Sequence, residues 1–330
     1  MRMLVGDIGG TKTELAVAEP VADGLRLDSQ RRYSSRDFAT LGDLLADYLS
    51  STGVRCDVGS LAVAGPVVDG FSRTTNLPWE VSGRDLAARL GLTTMVLLND
   101  LEAVAWGVPA LGDGDLAVLQ PGAPGAVGNA CVVAAGTGLG QAGLYWDGST
   151  HHPFATEGGH ADFAATDELE FALLQYLQAR VGRVSWERVV SGMGLADLYR
   201  FVASRRGGAH AAPVAAALDG GGDVAAAVAD SASRGCALSA ETMRLFARLY
   251  GREAGNTALK HMALGGVYLA GGIAPKNLAL LLGPEFLDGF LDKGRMRALM
   301  LRIPVRVILQ AQVPLYGAAR FARATMAAIQ

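Results

Sequence analysis

The sequence predicts an α/β protein built as two lobes. Short apolar runs of buried-strand type alternate with helical patterns, and a strand, glycine turn, strand layout occurs twice, near residues 4–17 and 130–146. The chain's 330 residues also exceed the ~250 to 300 at which a single hydrophobic core stops growing. Half of the residues are hydrophobic and 18% are charged, a composition that buries a core and excludes extended disorder.

Met3-Leu4-Val5 and Leu15-Ala16-Val17-Ala18 read as two strands of a hairpin, with Gly9-Gly10 between them expected to take the positive φ of a tight turn. A hairpin alone does not need Asp7, Thr11 or Lys12. Amides freed by glycines approach phosphate oxygens, threonine adds a hydroxyl donor, and an aspartate orients Mg²⁺ directly or through water. A phosphate-binding hairpin and an ordinary glycine turn both fit this stretch.

A helical pattern near Leu41 to Leu49 follows. Leu61 to Ala64 is a strand ending in Gly65-Pro66, Asp85 to Leu90 a helix, and Met95 to Leu98 a strand ending in Asn99-Asp100. The carboxyl end of a buried strand is where α/β proteins place binding and catalytic groups. Asp100 can equally N-cap the helix expected from Leu101 to Val108, and local sequence favours the cap.

A second unit begins after the Gly/Pro-rich segment Gln120 to Gly128. Ala130 to Ala135 is a strand, Gly136-Thr137-Gly138-Leu139-Gly140 a glycine turn, and Gln141 to Trp146 a strand. Helices are expected over Asp167 to Val181, Gly194 to Ser204 and about Ala240 to Met262. Gly266 to Gly272 is one more strand running into a glycine turn. The Ala/Gly-rich stretch Gly207 to Asp230 reads as peripheral helix and loop without chemistry.

No GxxxxGK[ST] loop occurs, and Gly136-x-Gly-x-Gly140 is followed by a strand rather than a helix, which argues against a dinucleotide fingerprint. Three glycine turns, around Gly9, Gly138 and Gly271, fit a nucleotide lying between two lobes. Glu157-Gly158-Gly159-His160 places a carboxylate and an imidazole on a segment too glycine-rich for helix, where both can bond the hydroxyls of a polyol. A metal site there lacks a third ligand at a recognisable spacing; a solvated turn is the plainer alternative. Ser185 and Glu187 can be simple capping residues.

The net charge of −3, without a long Lys/Arg run, gives no electrostatic footprint for nucleic acid or an anionic membrane, so a small-molecule substrate is expected. The start of the chain lacks signal-peptide features, no apolar run is long enough to span a bilayer, and Cys56, Cys131 and Cys236 form neither a disulfide framework nor a zinc motif. A cytoplasmic location is expected.

Taken in order, Asp7-Ile8-Gly9-Gly10-Thr11, Leu98-Asn99-Asp100, Gly136-Thr137-Gly138-Leu139-Gly140, Glu157-Gly158-Gly159-His160, Arg183 to Arg188 and Gly265 to Gly272 resemble the bacterial ATP-dependent glucokinases. Lys293-Gly294-Arg295 and Ile303-Pro304-Val305 extend the likeness toward the C-terminus. The resemblance implies the actin-like, ribonuclease-H-like ATPase fold, two α/β lobes with an interlobe cleft. Residues 1–110 plus 301–330 would form the small domain, joined by the C-terminal helix, and 111–300 the large one.

It further implies that ATP phosphates meet Gly6, Asp7, Gly9, Gly10 and Thr11 in the first turn and Gly136, Thr137 and Gly138 in the second, with Gly271 and Gly272 bordering adenosine. Asp100 would be the catalytic base, Asn99, Glu157, His160 and Glu187 the glucose-binding groups, and Asp7 the Mg²⁺ holder. The implied reaction is transfer of the ATP γ-phosphoryl to the glucose 6-hydroxyl by a homodimer. A kinase for another hexose or amino-sugar, or a non-catalytic sugar sensor, are the alternatives. The cysteine-rich zinc motif of related repressors and kinases is missing after His160, and no helix-turn-helix precedes Leu4. The first feature is similar to the zinc-free glucokinases, and both argue against the alternative of a transcriptional repressor.

Overall fold

β1 (Met3–Ile8) and β2 (Lys12–Val21) form the expected antiparallel hairpin in the computed structural model, which describes residues 1–22, 24–74 and 77–329. β3 (Gly24–Ser34) continues the meander on the outer side of β2, and β4 (Val58–Val63) runs parallel to β1 on its other side. A small antiparallel sheet of β5 (Val67–Val68), β6 (Phe71–Arg73) and β7 (Glu80–Ser82) precedes β8 (Thr94–Asn99), which is parallel to β4. The first main sheet therefore has the order β3-β2-β1-β4-β8.

Both faces of this sheet are covered, which explains the apolar run Met3 to Val5 that opens β1. Leu4 and Ile8 pack with Leu15 and Leu61 toward the helices Leu41–Thr52 and Gly83–Leu90. Met3 and Val5 lie on the opposite face with Leu98, Ala103, Leu315 and Ala318. The helices Asp100–Gly107 and Val313–Ile329 meet there at very short range. A Cβ on Gly317 would lie 1.7 Å from the carbonyl oxygen of Ala103, and one on Gly107 would lie 2.3 Å from that of Val313.

β9 (Leu116–Gln120), β10 (Ala130–Ala135), β11 (Leu139–Trp146) and β12 (His151–Thr156) follow, with β13 (Gly266–Ala270) and β14 (Val305–Ile308) much later in the chain. β11-β10-β13-β14-β9 lie in that order in the second sheet. β10 and β11 are an antiparallel pair around a glycine turn, and β10 is parallel to β13, so the pairing of β1 with β2 and β4 is repeated. The short sequence repetition thus extends to the topology.

The second core is organised by the long helix Ala237–His261, whose buried Tyr250 donates its hydroxyl to the carbonyl of Val133 at 2.9 Å. Gly251 and Gly289 let this helix and Pro284–Leu291 approach backbone to backbone; a Cβ on either would stand about 2 Å from a carbonyl oxygen of the other helix, at 1.9 Å and 2.1 Å.

The chain divides into two compact units, residues 1–115, 151–155 and 310–330 in the first and 116–150 and 156–309 in the second. Residues 111–115, 151–155 and 301–309 are where this division departs from the sequence expectation. Val305–Ile308 goes with the second unit because it is hydrogen-bonded between β13 and β9. The Ala/Gly-rich stretch forms two helices, Ala212–Gly220 and Val224–Ser233.

Candidate active site

In the first unit the carboxyl ends of three parallel strands are in register. Ile8 is paired with Val63, and Val63 with Asn99. The turn after β1 is Gly9 to Lys12, closed by the N–H of Gly9 donating to the carbonyl of Lys12 at 3.0 Å. Gly9 does not adopt the left-handed φ expected from the sequence. It is required for room, because a Cβ there would lie 2.9 Å from that same Lys12 oxygen.

The turn is held from outside by Ser35, which sequence reasoning missed. Its hydroxyl donates to the Gly9 carbonyl at 2.8 Å and lies 3.0 Å from the buried Thr13 hydroxyl, while its N–H donates to the Thr11 carbonyl at 3.1 Å. The only sequence signal was a serine at the end of a strand. Gly6 sits inside β1, where a Cβ would stand 2.7 Å and 2.8 Å from Leu15 and Leu61 methyl carbons, so its local requirement is packing.

Asp7 projects from the end of β1 on the Met3 and Val5 face, opposite Glu14 of β2 in the antiparallel register. Burial, reinforced by the negative charge of Asp100 and then of Glu14 and opposed by Lys12, pushes the Asp7 pKa from 3.8 up to about 7. Glu14 is itself paired with Arg32 at 2.5 Å and Lys12 at 3.4 Å. Asp7 and Asp100 are thus a like-charged pair whose repulsion a cation would relieve.

Asp100 is not the N-cap. Asn99 takes that position, its side-chain oxygen accepting from the amides of Leu101 at 2.9 Å and Glu102 at 3.3 Å, and its amide donating to the Gly65 carbonyl at 3.1 Å. Asn99 satisfies the cap because its backbone is still extended, with φ −65° and ψ 149°, whereas Asp100 is the first helical residue. One oxygen of Asp100 also accepts from the Leu101 amide at 2.9 Å.

In the second unit, the turn after β10 is tighter. The N–H of Gly136 donates to the carbonyl of Gly138 at 2.9 Å, leaving Thr137 at the tip, and the Gly136 carbonyl accepts from the Gly192 N–H at 2.8 Å. Glu187, on the single 3₁₀ turn Trp186–Arg188, accepts the Leu139 N–H at 3.0 Å. Capping of the following helix falls to Ser191, which accepts from Gly194 at 3.0 Å, so Glu187 is available for another role.

Glu157-Gly158-Gly159-His160 closes a 3₁₀ turn, with the N–H of His160 bonded to the Glu157 carbonyl and that of Ala161 to the Gly158 carbonyl, both at 3.0 Å. The expectation of no helix fails by one turn, because the glycines let this segment fold tightly against β11. A Cβ on Gly159 would stand 1.9 Å from the Leu139 oxygen. The Glu157 and His160 side chains lie 3.8 Å apart and are 77% and 60% exposed, open to a ligand. The segment before Glu187 fastens this turn in place: Trp186 N–H donates to the Ala161 carbonyl at 2.9 Å, and Arg183 donates to the His160 carbonyl at 2.8 Å and pairs with Asp162 at 2.7 Å.

Gly271 takes the left-handed φ of 77° where β13 meets the next helix, and it lies against Ala135, whose oxygen would be 2.4 Å from a Cβ. Beside it is a cavity of about 770 Å³ lined by Gly136, Thr137, Gly272, Lys276 and residues 222–226. Of the Ala/Gly-rich stretch, residues 222–226 and 229 reach this cavity, whereas the helix Ala212–Gly220 does not line it. The helix Val224–Ser233 supplies small side chains to a cavity wall. Among the described residues, no group of three or more His, Cys, Asp or Glu is arranged to hold a metal, and no helix is long and apolar enough to cross a membrane.

The structure of a glucokinase from an Antarctic psychrotroph is similar over 98% of this chain and 99% of that one, with a TM-score of 0.85 and 31% identity. A ROK-family glucokinase from Streptomyces griseus, in complex with glucose and AMPPNP, shares the fold at a TM-score of 0.63 and 22% identity, over 98% of this chain and all of that one. The fold and the paired glycine turns define a sugar kinase of the actin-like ATPase class. The glucokinase family model matches residues 4–325, and the glucokinase of Nostoc punctiforme is 40% identical over 96% of this chain and 97% of its own. The chain belongs to the glucokinase family, ATP-dependent hexose kinases.

Proposed function

We propose that this protein transfers the γ-phosphoryl of ATP to the 6-hydroxyl of D-glucose, with Asp100 as general base and Asn99, Glu157, His160 and Glu187 as sugar-binding groups. One observation carries the reading. Glu187 bonds the Leu139 amide, Gly159 packs on the Leu139 carbonyl, and Thr137 is two residues away. The groups read here as sugar-binding and the turn read as phosphate-binding thus meet at the start of β11, the adjacency that phosphoryl transfer requires. The family membership and the glucose and ATP analogue bound by structural relatives support the same reading.

In the reaction the 6-hydroxyl oxygen forms a bond to the γ-phosphorus, the bond to the β,γ-bridging oxygen breaks, ADP leaves, and the hydroxyl proton passes to the Asp100 carboxylate. The amides of the two glycine turns would hold phosphate oxygens. The cavity beside Gly272, at about 770 Å³, suits an adenosine. Mg²⁺ would neutralise phosphate charge, and Asp7, with its proton affinity raised by burial and then by the charge of Asp100, fits as its holder, directly or through water. Asn99 retains one amide hydrogen for a sugar hydroxyl after its bond to Gly65. A cytoplasmic homodimer is part of the same reading, and sedimentation of the purified protein checks the assembly.

The test is glucose 6-phosphate formation with Mg²⁺-ATP, alongside mannose, fructose, galactose and N-acetylglucosamine. Asp100→Asn is expected to lower kcat about 10²- to 10⁴-fold while calorimetric glucose affinity stays within about threefold. Near-normal turnover by the variant would overturn the base assignment, faster turnover of another sugar would reassign the substrate, and binding without turnover of any sugar would indicate a sensor.

A further inference from the structure

Gln141 is the third residue of β11, and its side chain is buried, 2% exposed. Its amide Nε2 donates to Glu253 Oε1 at 2.6 Å, and the other Glu253 oxygen accepts from Asn256 at 3.1 Å. Glu253 is fully buried in the middle of the long helix Ala237–His261. The opposite end of the Gln141 amide faces the Glu157-Gly158-Gly159-His160 turn. Its Oε1 would stand 2.1 Å from a Cβ at Gly158, so it occupies the space that the glycine leaves vacant. Thr156 ties the same segment to β11, donating its hydroxyl to the Gln141 carbonyl at 3.1 Å.

A buried amide is costly unless both of its ends are satisfied, and one held at 2.6 Å by a buried carboxylate has little rotational freedom. The fixed amide is the floor on which Gly158 rests. Glu157 and His160 are exposed and touch each other only at 3.8 Å, so their placement is set by the backbone turn rather than by their own contacts.

We infer that Gln141, locked by Glu253, is a positioning residue that sets the sugar-binding geometry of Glu157 and His160 through the backbone of Gly158. This rests on the sugar-binding reading of Glu157 and His160 given above. Burial raises the pKa of Glu253, with the bonds from Gln141 and Asn256 and the charges of Lys260 and Lys293 opposing. Glutamine at 253 keeps one oxygen to accept from Gln141, while its amide turns toward Asn256, whose side chain accepts from it after a rotation.

Steady-state KM and kcat for glucose and ATP would be compared in Gln141→Leu, Glu253→Gln and Glu157→Gln, with melting temperature as the folding control. Gln141→Leu is expected to raise the glucose KM about tenfold, the equivalent of one lost hydrogen-bonded constraint, with the ATP KM within about twofold. Glu253→Gln is expected to hold the glucose KM within about threefold. If Gln141→Leu is not recovered folded, Gln141→Ala, which leaves room for water at Glu253, takes its place with the same expectation. A glucose KM within about twofold of the parent in the Gln141 variant, while Glu157→Gln raises it, overturns the positioning role and leaves the sugar site standing. Parallel rises in both KM values would mark Gln141 as merely structural and also overturn it. An unaltered glucose KM in Glu157→Gln removes the sugar-site reading and the inference with it.

Discussion

Glu187 Oε2 lies 3.0 Å from the backbone nitrogen of Leu139 and occupies the space any side chain at position 138 would need, 2.4 Å from the place of its Cβ. The second glycine turn and the Glu187 carboxylate therefore constrain each other. Gly138 is needed for a partner's oxygen, not for backbone freedom, since its φ lies outside the left-handed region.

Gly138→Ala is accordingly expected to displace the Glu187 carboxylate and break its bond to Leu139. The glucose KM should rise and kcat/KM should fall about tenfold or more, the scale of one misplaced charge-assisted hydrogen bond. Gly114→Ala, where the space around the Cβ is open and no site role is assigned, serves as the control in the same steady-state assay and should cost less.

The cavity wall supplied by Val224–Ser233 leads to a different separation. Ala226 lines the cavity and is exposed, so enlarging it disturbs no core contact. Ala226→Trp is expected to raise the ATP KM about tenfold or more by filling ligand volume, with calorimetric glucose affinity retained within about twofold and the melting temperature within a few degrees. Equal weakening of both substrates would place the nucleotide elsewhere.

Gly317 is the point at which the helix Val313–Ile329 touches the helix that begins with Asp100. A methyl group there would stand 1.7 Å from the Ala103 oxygen and 2.9 Å from the Gly107 nitrogen, both backbone atoms that cannot rotate away. Gly317→Ala is expected to destabilise the protein by about 1–3 kcal/mol, read as a fall of roughly 2–10 °C in Tm.

What the sequence made legible followed from local pattern. The β1-β2 and β10-β11 hairpins, the strand ending at Asn99 and the helix near 240–262 are written in apolar runs bounded by glycine, proline or asparagine. The roles of individual residues were less legible, because they depend on partners distant in sequence. Ser35 holds a turn 26 residues earlier, Gln141 reaches Glu253 112 residues away, and part of an alanine-rich stretch lines a cavity with residues as distant as Gly136 and Lys276. Asn99 and Asp100 were separable only once the backbone angles showed which of them precedes the helix.

Asp7 gives a pH dependence whose sign follows from its environment. Its pKa of 3.8 rises to about 7 on folding, through burial and the charges of Asp100 and Glu14. Between those values the folded protein binds more protons than the unfolded chain, so this group's contribution to stability is lost as pH rises from about 4 to 7. Asp7→Asn removes the ionisation and should gain stability relative to the parent progressively across that interval, measurable as a rising difference in urea midpoint between pH 4 and pH 7.5. A divalent cation must compete with the same proton. The Mg²⁺ concentration for half-maximal activity should therefore fall with pH, by up to about tenfold per unit below about 7, and level off above it. Replacing Asp100 by Asn removes one of the charges that raise the Asp7 pKa, so the stability transition should move to lower pH in that variant, whether or not it turns over substrate. A transition unchanged in Asp100→Asn would show that burial and the charge of Glu14 hold the Asp7 proton without Asp100.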